Sequence, residues 1–155
     1  EEIYELLRQR QAQGDVRFCV RFSDHVRIDE AGITRAVRRA VWGGVRYLAR
    51  DPGGVQVMLD GLLQAPRQYA QETVIGGDRL VPIISLASVA AKVERDRLMR
   101  RFAKRYPEYG FEAHKGYGTA QHLEAIARHG LCEIHRRTYC KDVQKPFDSQ
   151  PDTMA

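Results

Sequence analysis

Asp60, in "QVMLDG", and Asp78, in "TVIGGD", have the residue type and setting for metal chemistry. Asp60 closes a short apolar run and is followed by glycine, which is where open α/β sheets place their functional groups. Asp78 follows Gly76-Gly77, a pair that lets the backbone approach closely, after a second short run, "TVI". If the two run ends converge, the carboxylates offer hard oxygen ligands suited to Mg²⁺ or Mn²⁺. The plainer reading of each is structural: an Asp-Gly turn for Asp60 and a loop aspartate for Asp78.

A second constellation lies in "HKGYGTAQHLEAI". Lys115 precedes Gly116-Tyr117-Gly118, and Thr119 is a natural N-cap for a following helix. Backbone N–H groups freed by glycine, a helix N-terminus and a lysine together can hold a phosphate. Tyr117 can stack on a base or sugar or offer its hydroxyl. In "ISLASVAAK", Ser85 and Ser88 read as helix N-terminal caps, with Lys92 one turn on and within reach of a phosphate. Asp96 is expected to pair with Arg100 at i,i+4. His129, Cys132, His135 and Cys140 have a spacing resembling a zinc knuckle, although the order of ligand types is unusual. The plainer reading is a basic segment in which His135, Arg136 and Arg137 lie on phosphate or on the core.

Asp29-Glu30-Ala31-Gly32 raises a further possibility, a side-by-side carboxylate pair for metal ions. Residues 33–48 have helical periodicity, and acidic residues opening a helix complement its dipole. This pair is therefore read as a helix start.

The elements that must position these residues follow from periodicity. Residues 1–13 read as a helix. Residues 16–22 alternate, with Val16, Phe18, Val20 and Phe22 on one face, as in a half-buried strand. An amphipathic helix is expected over 29–50, bearing Ile33, Val37, Ala40, Gly44 and Leu48 on one side and arginines on the other. Trp42 is read as packing. "VQVML" and "TVI" read as strands, 85–106 as a long helix with a basic face (Arg97, Arg101, Lys104, Arg105), and 119–128 as a last helix ending at Gly130. The expected architecture is α/β, one domain over 1–140, with a loose polar tail over 141–155.

Composition narrows the class. The 155 residues can bury a core, and no run is apolar enough to span a membrane. No leader pattern is visible at the first residues. Three cysteines without a CxxC pair suggest a reducing compartment, the cytoplasm by default. A formal charge of +5, rich in arginine, suits a polyanionic partner such as nucleic acid.

Taken in order, "MLDG", "GGD", "ISLASVAAKVERDRL", "YPEYGFEAHKGYGTAQHLEAIARHG" and "IHRRTY" resemble ribonuclease HII, in its bacterial form. The resemblance implies a ribonuclease H-like fold, a mixed sheet flanked by helices with a C-terminal helical region. It implies a monomeric endonuclease acting by two metal ions, Mn²⁺ or Mg²⁺, on RNA–DNA hybrid or on duplex DNA containing ribonucleotides. Asp60 and Asp78 correspond to two of the family's four carboxylates. Tyr117 would read the ribose 2′-hydroxyl, and Lys115, Gly116, Gly118, Ser85, Lys92, Arg136 and Arg137 would contact the substrate. The other two carboxylates form an Asp-Glu pair in a "DEAGRG"-type motif on a central first strand. Asp29-Glu30 lacks the Arg-Gly and matches instead an "IDELNI"-like helix start. The resemblance therefore implies that the N-terminal central strands are missing and that this chain alone is inactive or nearly so. Gly76 replaces a usual lysine, and Leu86 stands where alanine is common. The alternative function is a domain that holds RNA–DNA hybrid without cutting it.

Overall fold

A computed structural model describes residues 1–141, so the expected tail lies almost wholly outside the described residues. The fold is mixed α/β, mostly helical, with one two-stranded parallel sheet. The chain divides into two compact units, Glu1–Arg97 and Leu98 onward. No helix among the described residues is long and apolar enough to cross a membrane.

In the first unit, α1 (Glu2–Gln13) ends at Gly14, whose left-handed backbone, with φ of 85°, closes the helix through bonds to Arg10 and Gln11 carbonyls. Tyr4 and Leu7 of α1 pack on Ala90 and Val93, joined by Val16, Phe18 and Val20. Residues 16–22 belong to no strand of the sheet, which corrects the expected strand. Alternation reports that one face is covered, and it is, by α1 and a later helix; a strand also needs a hydrogen-bonding neighbour. Phe22, expected to face inward, is half exposed.

The expected helix over 29–50 is two helices, α2 (His25–Ala31) and α3 (Ile33–Leu48), broken at Gly32 where φ is 79°. Asp24 is the true cap, accepting the Arg27 N–H at 2.8 Å. Asp29 and Glu30 therefore close α2 rather than open a helix, so the dipole argument for them fails; the first turn of α3 carries no acid. Along α3 the stripe that packs on the sheet is Val41 and Val45, continued by Ala49, against Leu59, Ala65 and Tyr69. Ile33, placed on the buried side by periodicity, stays exposed. Trp42, read as packing, is in none of the hydrophobic clusters of the described residues; its ring lies beneath Arg38 and Arg46 and its Nε1–H donates to the Gln64 carbonyl at 2.9 Å.

β1 (Gln56–Asp60) and β2 (Ala70–Val74) run parallel, with Asp60 opposite Val74. The loop between them is pinned by Tyr69, whose hydroxyl donates to the Ala49 carbonyl at 2.6 Å, and by Gln71, whose side chain bonds both N–H and C=O of Ala65. Parallel pairing brings the carboxyl ends of both strands to one edge, the edge that carries Asp60. The sheet has only these two strands among the described residues, so each keeps one unpaired edge.

After α4 (Gly77–Leu80), α5 (Pro82–Arg105) begins three residues before Ser85. Ser85 N–H already bonds the Val81 carbonyl, so Ser85 and Ser88 lie inside the helix and do not cap it. Asp96 pairs with Lys92 at 3.3 Å, not with Arg100. Arg97, on the expected basic face, is bound to Glu1 and Glu5 of α1 at 2.9 and 2.6 Å and lies over the Tyr4 ring.

In the second unit, α6 (Phe111–His114) and α7 (Ala120–His129) enclose a core of Ala103, Tyr109, Phe111, Ala125 and Ile126. Thr119 caps α7 as expected, its hydroxyl accepting from His122 N–H at 3.3 Å. Arg105 is paired with Glu133 at 2.7 Å.

Candidate active site

The carboxylate end of the sheet is built around Gly77. Asp60 is half-buried at the last position of β1, and Gly61, with φ of 61°, turns the chain away while donating to the Val74 carbonyl at 2.9 Å. One oxygen of Asp60, Oδ1, accepts the Gly77 N–H at 2.8 Å. The next residue, Asp78, is exposed in the first turn of α4. The structure therefore links the two sequence-predicted aspartates through a single peptide.

Gly77 has no room for a side chain. A Cβ there would lie 2.7 Å from Ile84 Cδ1 and 3.5 Å from Asp60 Oδ1, and Ile84 is itself buried. Alanine at position 77 is expected to destabilise the first unit by about 1–3 kcal/mol through overpacking. A backbone shift that relieves the Ile84 contact would move the Gly77 N–H that Asp60 Oδ1 accepts, and so should also weaken divalent-ion binding. Thermal melting and Mn²⁺ titration of the variant check both effects; wild-type values in both would contradict this account of Gly77.

Asp60 and Asp78 bring two carboxylates to this turn. Among the described residues no group of three or more His, Cys, Asp or Glu side chains is arranged to hold a metal ion. Asp29 and Glu30 supply no such group. The proposed zinc set fails for the same reason: His129 is exposed, while Cys132 and His135 bond each other, Sγ to Nδ1 at 3.0 Å. The second ring nitrogen of His135 is committed to His122.

The glycine loop is a well-tied structure. Lys115 takes a left-handed conformation with φ of 52°, and its ammonium donates to the Glu112 carbonyl. Gly116 has φ of 77° and leaves 3.1 Å between a would-be Cβ and Met99 Cε, so glycine is required there. Gly118 has neither constraint: a Cβ would meet nothing within 4 Å. Tyr117 presents an exposed ring. Of the remaining predicted contacts, Ser85 is half-buried in α5, and Lys92 is exposed and paired with Asp96. Arg136 lies over the Tyr139 ring at 4.0 Å, and Arg137 is exposed at the start of a short 3₁₀ turn.

Sequence reasoning missed two of the buried histidines beneath this loop, His114 and His122, and left His135 between phosphate and the core. His114, His122 and His135 are almost wholly buried, with His114 and His122 stacked at 4.4 Å between centroids. The available signal was that His114 and His122 flank "KGYGTAQ". Burial pushes the His122 ring below its ordinary 6.5; its bond to the Tyr117 carbonyl opposes this, and neighbouring His114 adds to it. A histidine depressed in the folded state binds fewer protons than in the unfolded chain once pH falls below about 6.5. The stability of this unit is then full above that value and declines as pH drops toward the folded pKa. A lower melting temperature at pH 5.5 than at 7.5, with His122 still neutral at 6.5 by NMR, is the expected result. An ordinary titration midpoint for His122 would contradict it.

Asp60 at the end of β1, Asp78 in the first turn of α4 and an exposed tyrosine in a glycine loop lie on a mixed α/β fold. The family model for ribonuclease HII matches residues 1–142. Among curated proteins, ribonuclease HII of Chlorobium luteolum is 45% identical over 123 residues, covering 79% of this chain and 58% of that protein. That of Bacillus cytotoxicus is 44% identical, covering 76% of this chain and 45% of that one. That of Natranaerobius thermophilus is 37% identical over 146 residues, covering 94% and 72%. This chain belongs to the ribonuclease HII family. It spans about half the length of the first two relatives.

Proposed function

We propose that this chain works in an endoribonuclease that cleaves the RNA strand of RNA–DNA hybrids and ribonucleotides embedded in duplex DNA. The observation that carries the reading is the Asp60–Gly77 hydrogen bond, which sets the two family-matched aspartates beside one backbone turn at the strand ends. Their oxygen donors suit Mg²⁺ or Mn²⁺, and Asp60 keeps Oδ2 outside that bond. When bound, two such ions would supply the charge neutralisation that phosphodiester hydrolysis requires at both the attacking and the leaving oxygen. Two divalent cations carry four positive charges and the aspartates answer only two, so full activity calls for the family's Asp-Glu pair as well. Lys115, Gly116, Tyr117 and Gly118 would seat the substrate backbone, with Tyr117 on the ribose. The freedom around Gly118 supports close approach of a ligand, since the fold itself does not require glycine there. Ser85, Lys92, Arg136 and Arg137 are further substrate contacts in this reading. Cys19, Cys132 and Cys140 are in no disulfide among the described residues, in agreement with a cytoplasmic setting.

A second reading, a domain that binds hybrid without cutting it, is favoured by the lack of any group of three metal-binding side chains among the described residues. Incubation with Mn²⁺ and a DNA duplex carrying one ribonucleotide separates the two. Cleavage at the ribonucleotide, alone or with an added segment bearing the Asp-Glu pair, selects the nuclease. Salt-sensitive binding with no cleavage under either condition selects the binding domain.

A further inference from the structure

The three buried histidines form a chain whose proton positions are dictated by backbone groups. His114 Nδ1 receives the Gly116 N–H at 3.2 Å, so Nε2 carries the proton and donates to the Tyr109 carbonyl at 2.7 Å. His122 Nδ1 faces the Tyr117 carbonyl at 2.9 Å, so it is the donor there and Nε2 is bare. That bare nitrogen lies 3.1 Å from His135 Nε2, which must therefore carry a proton. His135 Nδ1 is then an acceptor, and it receives the Cys132 N–H at 2.9 Å and the Cys132 thiol at 3.0 Å. A carbonyl cannot donate and an amide N–H cannot accept, so one neutral tautomer per ring satisfies every bond.

The upper end of this chain is the substrate loop. The Tyr117 N–H bonds the His114 carbonyl at 2.9 Å, and the Tyr117 carbonyl accepts from both His122 Nδ1 and the Thr119 N–H. Both sides of the Tyr117 peptide are thus fixed from below while its ring faces outward, 59% exposed. Phe111 and Tyr109 wall the rings in, with Phe111 5.4 Å from His122 and Tyr109 5.0 Å from His135. A proton added at any bare nitrogen would set two N–H groups against each other. The titratable groups facing the His122–His135 pair are His114 from α6, Tyr109 and Cys132, with Glu108 and Glu133 acting on Cys132.

We propose that His122 and His135 are positioning residues for Tyr117: their hydrogen-bonded pair holds the tyrosine peptide, and so its ring, in the orientation that distinguishes a ribonucleotide from a deoxyribonucleotide. This rests on the reading that the loop contacts substrate.

The test measures affinity of the full chain for a duplex with one ribonucleotide and for the all-DNA duplex, at constant salt. Tyr117→Ala is expected to reduce the preference on the order of tenfold, the worth of about one good hydrogen bond. His122→Gln loses the Nδ1 bond to the loop and should match that loss, read as the ratio of the two affinities. His122→Asn, whose amide can still donate to the Tyr117 carbonyl, should retain most of the preference. A second arm needs no variant: in the wild type, preference should fall with pH in step with His122 protonation followed by NMR. Loss of preference in Tyr117→Ala but not in His122→Gln overturns the positioning role and leaves the loop reading intact. So does a flat preference while His122 protonates. Wild-type preference in Tyr117→Ala overturns the loop reading, and the proposal with it.

Discussion

Alanine at Phe111 is expected to destabilise the unit from Leu98 onward by about 3–5 kcal/mol, the usual cost of emptying a buried phenylalanine site. The ring is 2% exposed, stacks on Tyr109 at 5.4 Å and meets His114, His122 and His135 edge-on or tilted within 6 Å. It also belongs to the cluster with Ala103, Ala125 and Ile126. Collapse cannot refill the space, because each surrounding imidazole is held by hydrogen bonds to fixed backbone groups. A small domain has only about 5–15 kcal/mol of stability in total, so this single change should remove a large share of it. Urea denaturation checks it: the midpoint should fall with little change in slope. A loss below about 1 kcal/mol would mean that the histidine core is not the packing centre described above.

The second large effect concerns function. Asparagine at Asp60 is nearly isosteric, and its carbonyl can still accept the Gly77 N–H, so the turn should persist and the melting temperature should hold. What is lost is a negative charge at the proposed metal pair. Metal-dependent cleavage, whether by the chain alone or with the Asp-Glu-bearing segment supplied, is expected to fall at least about 100-fold, more than loss of an indirect metal contact produces. Asp78→Asn should act in the same direction. Cleavage that survives Asp60→Asn would have to come from other residues.

Much of the carboxylate site could be read from the sequence because its signals are local. A short apolar run ending in Asp-Gly is a strand end, and a Gly-Gly-Asp turn is a close approach; the structure has both. Thr119 was legible as a cap because capping depends on one side chain and a neighbouring N–H. Residues 16–22 were misread as a strand because alternation records burial of one face and says nothing of a pairing partner. The break at Gly32 escaped because positive φ leaves no mark on hydrophobic period. Asp96 could meet Lys92 or Arg100 at the same helical spacing, and only the fold chooses between them. Arg97 read only as part of a basic face because the glutamates that engage it, Glu1 and Glu5, lie more than ninety positions away. The histidine chain was hidden for a related reason. His122 and His135 come together through folding of the second unit; the segment around His135 suggested zinc, phosphate or the core, and no local signal marked His122 as buried.

The account stands on Asp60 and Asp78 acting as one cation-binding pair. The most direct measurement is a Mn²⁺ titration of the wild-type chain and of the Asp60→Asn and Asp78→Asn variants, followed by electron paramagnetic resonance of the free ion. The account predicts binding in the wild type, weakened at least about tenfold by either substitution, since each removes one of two charged ligands. Equal Mn²⁺ binding in all three proteins would contradict it and place any metal site elsewhere in the molecule.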